Sequence, residues 1–134
     1  MIVSSRGIVL SSLRYSDSSF IARIYTLEKG LRSFMVRTGK GKKALVKLSL
    51  LQPLSLVEIG FADDDRKTLH TLRSIEREES FQSIPFDPLK TCIALFVAEI
   101  VYRSIGEEEQ NPELFRFLRN AVLLLDDDDS SVAN

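Results

Sequence analysis

The chain has 134 residues, 44% of them hydrophobic, and a formal net charge of -1 at pH 7. This length and composition suit a globular protein with a hydrophobic core and exclude a disordered chain. The absence of an apolar run of about 18 residues and of a signal-peptide pattern favours a cytoplasmic protein with no membrane partner. With one cysteine, Cys92, and one histidine, His70, the sequence predicts no internal disulfide and no zinc site.

The near-zero net charge hides an asymmetry between the two halves of the chain. Residues 1–60 carry ten basic and three acidic side chains, a net +7, whereas residues 61–134 carry eight basic and sixteen acidic ones, a net -8. The densest basic stretch is VRTGKGKKALVK at 36–47, which has no acidic residue. Such asymmetry indicates a polyanionic partner for the first half.

The first 80 residues predict five short strands, at 7–15, 18–27, 31–37, 54–61 and 68–76. Gly30 supplies the positive φ of a hairpin turn, and the fourth strand is expected just after Pro53, which cannot donate a ladder hydrogen bond. Five short strands with no long helix between them predict a small antiparallel barrel of the oligonucleotide-binding (OB) type over residues 1–80.

Beyond residue 81 the apolar period becomes helical. Asp87 followed by Pro88, and Asn111 followed by Pro112, are N-cap signals for two helices. The apolar side chains at helical spacing are Leu89, Cys92, Ile93, Phe96, Val97, Ile100 and Val101 in the first helix, and Leu114, Phe115, Leu118, Ala121, Val122 and Leu125 in the second. The fold class predicted is therefore α+β, with an antiparallel helix pair over 81–129, a tail at 130–134 and a buried Cys92 thiol.

Enzyme motifs are missing from the sequence. TGKGKK lacks the Walker spacing of a phosphate loop, and a single histidine leaves no Ser–His or Cys–His relay. The carboxylates occur in runs at 63–65, 107–109 and 126–129, which are typical of solvated turns or tails. We therefore predict a non-enzymatic protein with no catalytic residue, no metal and no cofactor.

Several short motifs together resemble the RecO family of bacterial recombination mediators over almost the whole chain. They are the turn residues Tyr15, Asp17 and Ser19, the hairpin residues Thr26, Glu28 and Gly30, the lysine- and glycine-rich stretch, and Leu51, Gln52 and Pro53 before the fourth strand. The resemblance implies an OB barrel followed by helices. Members of the family continue into further helices, so an N-terminal fragment is expected.

The resemblance also implies a function. It indicates a protein that binds single- and double-stranded DNA, anneals complementary strands, and acts with RecR and the single-strand-binding protein to help RecA onto DNA. The family's surface for the tail of the single-strand-binding protein lies in the helical region, where Arg103, Arg116 and Arg119 are the candidate basic residues.

A barrel binds single strands through a positive groove and exposed aromatic rings. The candidate phosphate contacts are Arg14, Arg23, Arg37, Lys40, Lys42, Lys43 and Lys47. The candidate stacking rings are Tyr15, Tyr25 and Phe34. The alternative is a protein-interaction module whose basic barrel face binds an acidic peptide of a partner.

Overall fold

The computed structural model describes residues 2–37, 48–64, 66–105 and 110–127, and these ranges contain five strands, one short 3₁₀ helix and two α-helices. The strands are β1 (Ile2–Ser16), β2 (Ser19–Thr26), β3 (Gly30–Arg37), β4 (Leu56–Ala62) and β5 (Leu69–Arg77). The helices are the 3₁₀ helix (Leu48–Leu51), α1 (Pro88–Ser104) and α2 (Pro112–Asp127). The predicted order of strands and helices is confirmed.

The strands form a closed barrel in the order β1-β2-β3-β5-β4, with β1 paired to β4. β1 has 15 residues, and its first half pairs with β4 while its second half pairs with β2. The expected antiparallel pairing holds except between β3 and β5, which are parallel. An odd number of strands cannot alternate in direction all round a closed ring, so one parallel pair is unavoidable. A closed five-stranded barrel followed by helices is consistent with the predicted OB fold.

Two turns explain where the strands begin. Gly30 opens β3 with a φ of 72°, as predicted, and the Thr26 hydroxyl donates to its carbonyl oxygen over 2.7 Å. β4 begins at Leu56, later than the expected start at Leu54. The cause is that Leu54 has a φ of 66°, which interrupts an extended backbone, while its N–H donates to the Val9 carbonyl at 2.7 Å.

Apolar side chains from all five strands fill the barrel interior. They are Val9, Ala22, Ile24, Phe34, Val36, Val57, Ile59, Phe61, Leu72 and Ile75, together with Leu51 of the 3₁₀ helix. Phe34 and Phe61 meet edge to face, with ring centroids 4.9 Å apart. Burial of these side chains inside the barrel is the main source of stability that the strands provide.

Both α-helices begin at the predicted caps. The Asp87 carboxylate accepts a hydrogen bond from the Leu89 N–H at 3.0 Å, and the Asn111 side-chain oxygen accepts one from the Leu114 N–H at 3.1 Å. Within the described ranges, neither helix is long and apolar enough to cross a membrane.

The helices pack on one side of the barrel and cover part of its outer surface. The buried residues of this second cluster are Ile8, Leu10, Tyr25, Leu31, Leu54 and Leu56 from the barrel and its connections, Ile84 before α1, Ala94, Ala98 and Val101 from α1, and Phe115, Leu118 and Val122 from α2. The Tyr25 hydroxyl donates to the Asn111 carbonyl at 3.2 Å, which fixes the start of α2 on β2.

The predicted apolar stripe of α1 is largely exposed. Leu89, Ile93 and Ile100 are exposed, Phe96 is 67% exposed, and the Cys92 thiol is also on the surface. The prediction of a buried Cys92 was therefore wrong. The face of α1 that meets the barrel carries Ala94 and Ala98 instead, because small side chains allow the helix backbone to approach the strands closely.

Asp126 joins the end of α2 to the segment before α1. Its carboxylate accepts hydrogen bonds from the N–H groups of Gln82 and Ser83, both at 2.8 Å, and from Ile84 at 3.0 Å. Burial alone would raise the pKa of Asp126, but these backbone donors hold the pKa below its usual value. The expectation of a fully solvated run at 126–129 was wrong for Asp126. Its hydrogen bonds bring the end of α2 to the start of α1, so the two helices run antiparallel.

Candidate nucleic-acid interface

Strand register assembles a continuous surface on the side of the barrel that the helices leave open. Arg23 on β2 pairs with Ser33 on β3, which pairs with Leu69 on β5. The next row across the strands is Leu13, Ile21, Met35 and Thr71. Because alternate residues return to the same face, Arg37 belongs to this surface with Met35, and Tyr15 lies beside it in a β-bulge next to the Ser16–Ser19 pair, where Ser19 in turn pairs with Arg37. We call this surface the outer face: Leu13, Tyr15, Ile21, Arg23, Ser33, Met35, Arg37, Leu69 and Thr71.

Apolar and aromatic side chains on the outer face remain open to a ligand. Leu13 is 58% exposed and Tyr15 is 66% exposed, at the end of β1 beside the β1–β2 turn. Ile21 and Met35 are half-buried between them and β5. An exposed ring next to guanidinium groups is the combination that single-strand-binding barrels use to stack bases and hold phosphates. Tyr15 is therefore available for the predicted stacking, and the exposed Leu13, two residues earlier on β1, is a neighbour that the sequence did not single out.

Arg23 lies at the border between the outer face and α1. Its guanidinium carbon is 4.8 Å from the centroid of the Tyr102 ring. This cation–π contact positions a half-buried guanidinium at the edge of the open surface.

Arg14 and Arg37 are both exposed and lie at the same end of the three strands β1, β2 and β3, because Arg14 pairs with Phe20 and Arg37 pairs with the neighbouring Ser19. The Arg14 guanidinium carbon is 5.3 Å from the centroid of the Phe20 ring. Arg37 is the last residue of β3 and shares the outer face with Met35. The structure thus brings Arg23 and Arg37 onto one face. The remaining predicted contacts, Lys40, Lys42, Lys43 and Lys47, lie outside the described residues.

Tyr25 and Phe34 are not available for base stacking, which corrects two of the predicted positions. Both side chains are 0% exposed. Tyr25 does lie on the outer side of β2, but α2 covers it, and its ring centroid is 5.9 Å from that of Phe115. Phe34 points into the barrel against Phe61. Alternation along a strand identified their faces, but it gave no sign of what covers them.

The three candidate arginines for partner binding have different surroundings. Arg119 is half-buried, and its Nε lies 2.9 Å from Oε2 of Glu78 at the end of β5. This hydrogen bond holds the pKa of Arg119 above its usual value and ties α2 to the barrel. Arg103 is exposed and pairs with Glu99 one turn earlier in α1, and Arg116 is exposed on α2. Arg119 therefore has a structural role, and the other two remain on the surface.

A partly buried polar cluster links β3 to the residues that follow β4. The Asp63 carboxylate forms ion pairs with the Arg32 Nη1 at 3.3 Å and with the Lys29 Nζ at 3.1 Å. The His70 Nε2 lies 3.3 Å from the same Arg32 Nη1. His70 is a buried residue of β5. Among the described residues, no group of three or more histidine, cysteine or carboxylate side chains is arranged to hold a metal ion. Asp63 is thus engaged in ion pairs within the fold.

Two family models match the chain one after the other. The model described as Recombination protein O N terminal matches residues 1–81, and the one described as Recombination protein O C terminal matches residues 85–134. The chain belongs to the recombination protein O family. The family resemblance drawn from the sequence motifs is confirmed, and the two matches meet between β5 and α1.

Relatives within the recombination protein O family are similar over the full chain. Proteins named DNA repair protein RecO are 42% identical over 134 residues in Bacteroides fragilis, 38% over 134 residues in Phocaeicola vulgatus and 38% over 130 residues in Flavobacterium johnsoniae. These alignments cover 100%, 100% and 96% of this chain, and 55%, 56% and 55% of the relatives. The chain therefore spans about half the length of the relatives that it matches.

Proposed function

We propose that this chain is the DNA-binding part of a recombination mediator that acts in DNA repair and catalyses no reaction. Membership of the recombination protein O family and the names of the relatives support the role in repair. The observation that carries DNA binding is the outer face, where Arg23 and Arg37 lie beside the exposed Tyr15 and Leu13 on a closed barrel. Arginines hold phosphates there, and the Tyr15 ring stacks on a base.

The lysine-rich segment is the second part of the proposed contact. Residues 38–47 follow Arg37 directly and carry Lys40, Lys42, Lys43 and Lys47 with no acidic residue. Lysine side chains bind phosphates as point charges and read no base edges, so the protein binds DNA with little sequence preference and with strong salt dependence. Single and double strands both offer the phosphates that this contact needs.

The mediator role extends this contact to other proteins. In this proposal the DNA-bound chain works at the nucleoid, anneals complementary strands, and cooperates with RecR and the single-strand-binding protein in loading RecA, with no cofactor. Arg103 and Arg116 are exposed on the helices, away from the barrel, and are the positions that we assign to the single-strand-binding protein. Support for these partners comes from the family alone.

Charge reversal in the lysine segment tests the DNA contact. We expect the triple variant K40E, K42E, K43E to lose about 100-fold in affinity for a labelled single-stranded oligonucleotide near 0.1 M salt, since each phosphate contact contributes a salt exponent of about 0.7. The matched control is R6E, R103E, R116E, which makes the same change in net charge at three exposed positions off the outer face. Equal binding by the lysine variant and the parent protein, with both folded by circular dichroism, would refute the contact.

Competition separates DNA from an acidic peptide as the natural ligand of the basic surface. A peptide rich in aspartate should displace the oligonucleotide only at concentrations far above the Kd of the DNA complex, because it lacks bases that stack on Tyr15. Displacement at equal concentrations would favour the protein-interaction module instead.

A further inference from the structure

We propose that the nucleic-acid surface does not end at β3 but crosses onto β5, where Arg73 makes a further phosphate contact. This inference rests on the DNA-binding function proposed above and names an additional part of the same surface. None of the predicted contacts lies on β5, since all of them precede residue 48.

The parallel pairing of β3 and β5 ends two residues before Arg37 on β3 and two residues before Arg73 on β5. The register pairs Ser33 with Leu69 and Met35 with Thr71. Arg37 and Arg73 each follow this last pair by two residues. Arg37 returns by alternation to the side of Met35, and Arg73, which lies in a β-bulge, lines the same groove as Thr71. Two arginines therefore follow the outer face on neighbouring strands.

A β-bulge directs the Arg73 side chain outward. β4 pairs Phe61 with Leu72 and Gly60 with Ser74, so Arg73 has no partner residue on β4. Leu72 and Ile75 are buried on either side of it, whereas Arg73 is exposed. Bulges commonly turn a side chain toward a functional surface, and here the bulge keeps a positive charge out of the core.

The surroundings of Arg73 suit an anion. It lines an open groove of about 630 Å³ together with Lys67, Thr71 and His70. The two described carboxylates on that groove are already neutralised, because Asp63 pairs with Arg32 and Lys29, and Asp64 pairs with Arg66 at 3.1 Å. Within the described parts of the chain, Arg73 itself makes no ion pair, so its charge is available to a phosphate.

The path of the nucleic acid follows from these positions. A nucleic-acid strand that contacts Arg37 at the end of β3 continues over β5, whose backbone lies about 5 Å away, and meets Arg73 there. Because both contacts are to phosphates, the extension adds affinity and salt dependence but no sequence preference.

The experiment measures oligonucleotide affinity as a function of salt for R73A, R73K and a control. The control is R6A, since Arg6 is an exposed strand arginine that lines a groove on another side of the barrel with Glu28, Glu58 and Glu76. Near 0.1 M salt we expect R73A to bind a single-stranded oligonucleotide about fivefold more weakly than the parent, with a salt exponent smaller by about 0.7. R73K and R6A should keep the parent's exponent.

The outcomes distinguish this inference from the function on which it rests. If the parent protein binds the oligonucleotide and R73A matches it in affinity and salt exponent, Arg73 is not a contact and the surface ends at β3. If R73K loses as much as R73A, the effect of the substitution is not one of charge, and the inference falls as well. Failure of the parent protein to bind any oligonucleotide would instead overturn the proposed function itself, and this inference with it.

Discussion

The barrel and the two helices are both rich in apolar residues but use them differently. The barrel encloses its large side chains, such as Phe34 and Phe61, because a closed ring of strands has an inside. Helix α1 lies outside the barrel and buries only one face, so the small Ala94 and Ala98 meet the strands while Phe96 stays exposed. The difference shows that a large side chain in an apolar stripe identifies a core position only when another element closes over it.

The largest expected effect contrasts one phenylalanine from each region. Phe34→Ala removes a fully buried ring and should reduce the free energy of unfolding by about 3–5 kcal/mol, because a cavity remains. Phe96→Ala removes an exposed ring and should change it by no more than about 0.5 kcal/mol. Urea denaturation followed by circular dichroism compares the two. Equal losses would contradict the assignment of Phe96 to the surface.

A smaller effect tests the link between the two helices. Asp126→Ala leaves three backbone N–H groups without their carboxylate acceptor, so we expect a loss of about 2 kcal/mol or more in the free energy of unfolding. Asp127→Ala, at the exposed neighbouring position, is the matched control and should be nearly neutral. A comparable loss in the control would contradict the assignment of the effect to the Asp126 hydrogen bonds.

The same carboxylate predicts a pH dependence. The pKa of Asp126 is lower in the folded than in the unfolded chain, so its contribution to stability is complete above the unfolded value, about 3.9. That contribution is lost as the pH falls from there through the lower folded pKa. The parent protein should therefore lose more stability than Asp126→Ala between pH 5 and pH 2 in urea titrations. Parallel losses in both proteins would contradict the assignment.

The smallest effect concerns the contact between α2 and the end of β5. Arg119→Ala breaks the ion pair with Glu78, in which the Arg119 side chain is 20% and the Glu78 side chain 8% exposed. The loss should lower the free energy of unfolding by about 1 kcal/mol. Arg116→Ala, on the exposed side of the same helix, should cost less than about 0.5 kcal/mol. The difference in urea midpoints between the two variants measures the pair. A difference of zero would mean that this ion pair does not help to hold α2 on the barrel.

Features that depend on neighbouring residues could be predicted from the sequence. The hairpin glycine Gly30 and the caps Asp87 and Asn111 lie where the sequence placed them, because turn and cap chemistry is decided within a few residues. The number and order of the strands followed from the same local signals. The parallel pair is also a consequence of closing five strands into a ring.

Features that depend on distant packing could not be predicted. Tyr25 is covered by α2, and its hydroxyl donates to the carbonyl of Asn111, which lies 86 residues later in the chain. Asp126 lies in a run of aspartates that looks solvated, yet it meets a segment more than 40 residues away. For the candidate site, the basic residues Arg14, Arg23 and Arg37 were proposed from charge, whereas the proposed contact at Arg73 required the pairing of β5 with β3.

The central claim is that the basic side of this barrel binds the phosphate backbone of DNA. The most direct measurement is the affinity of the parent protein for a short single-stranded oligonucleotide between about 0.05 and 0.3 M salt. Release of counterions from about four phosphates predicts a log–log slope near -3. An affinity that does not change with salt would contradict the claim.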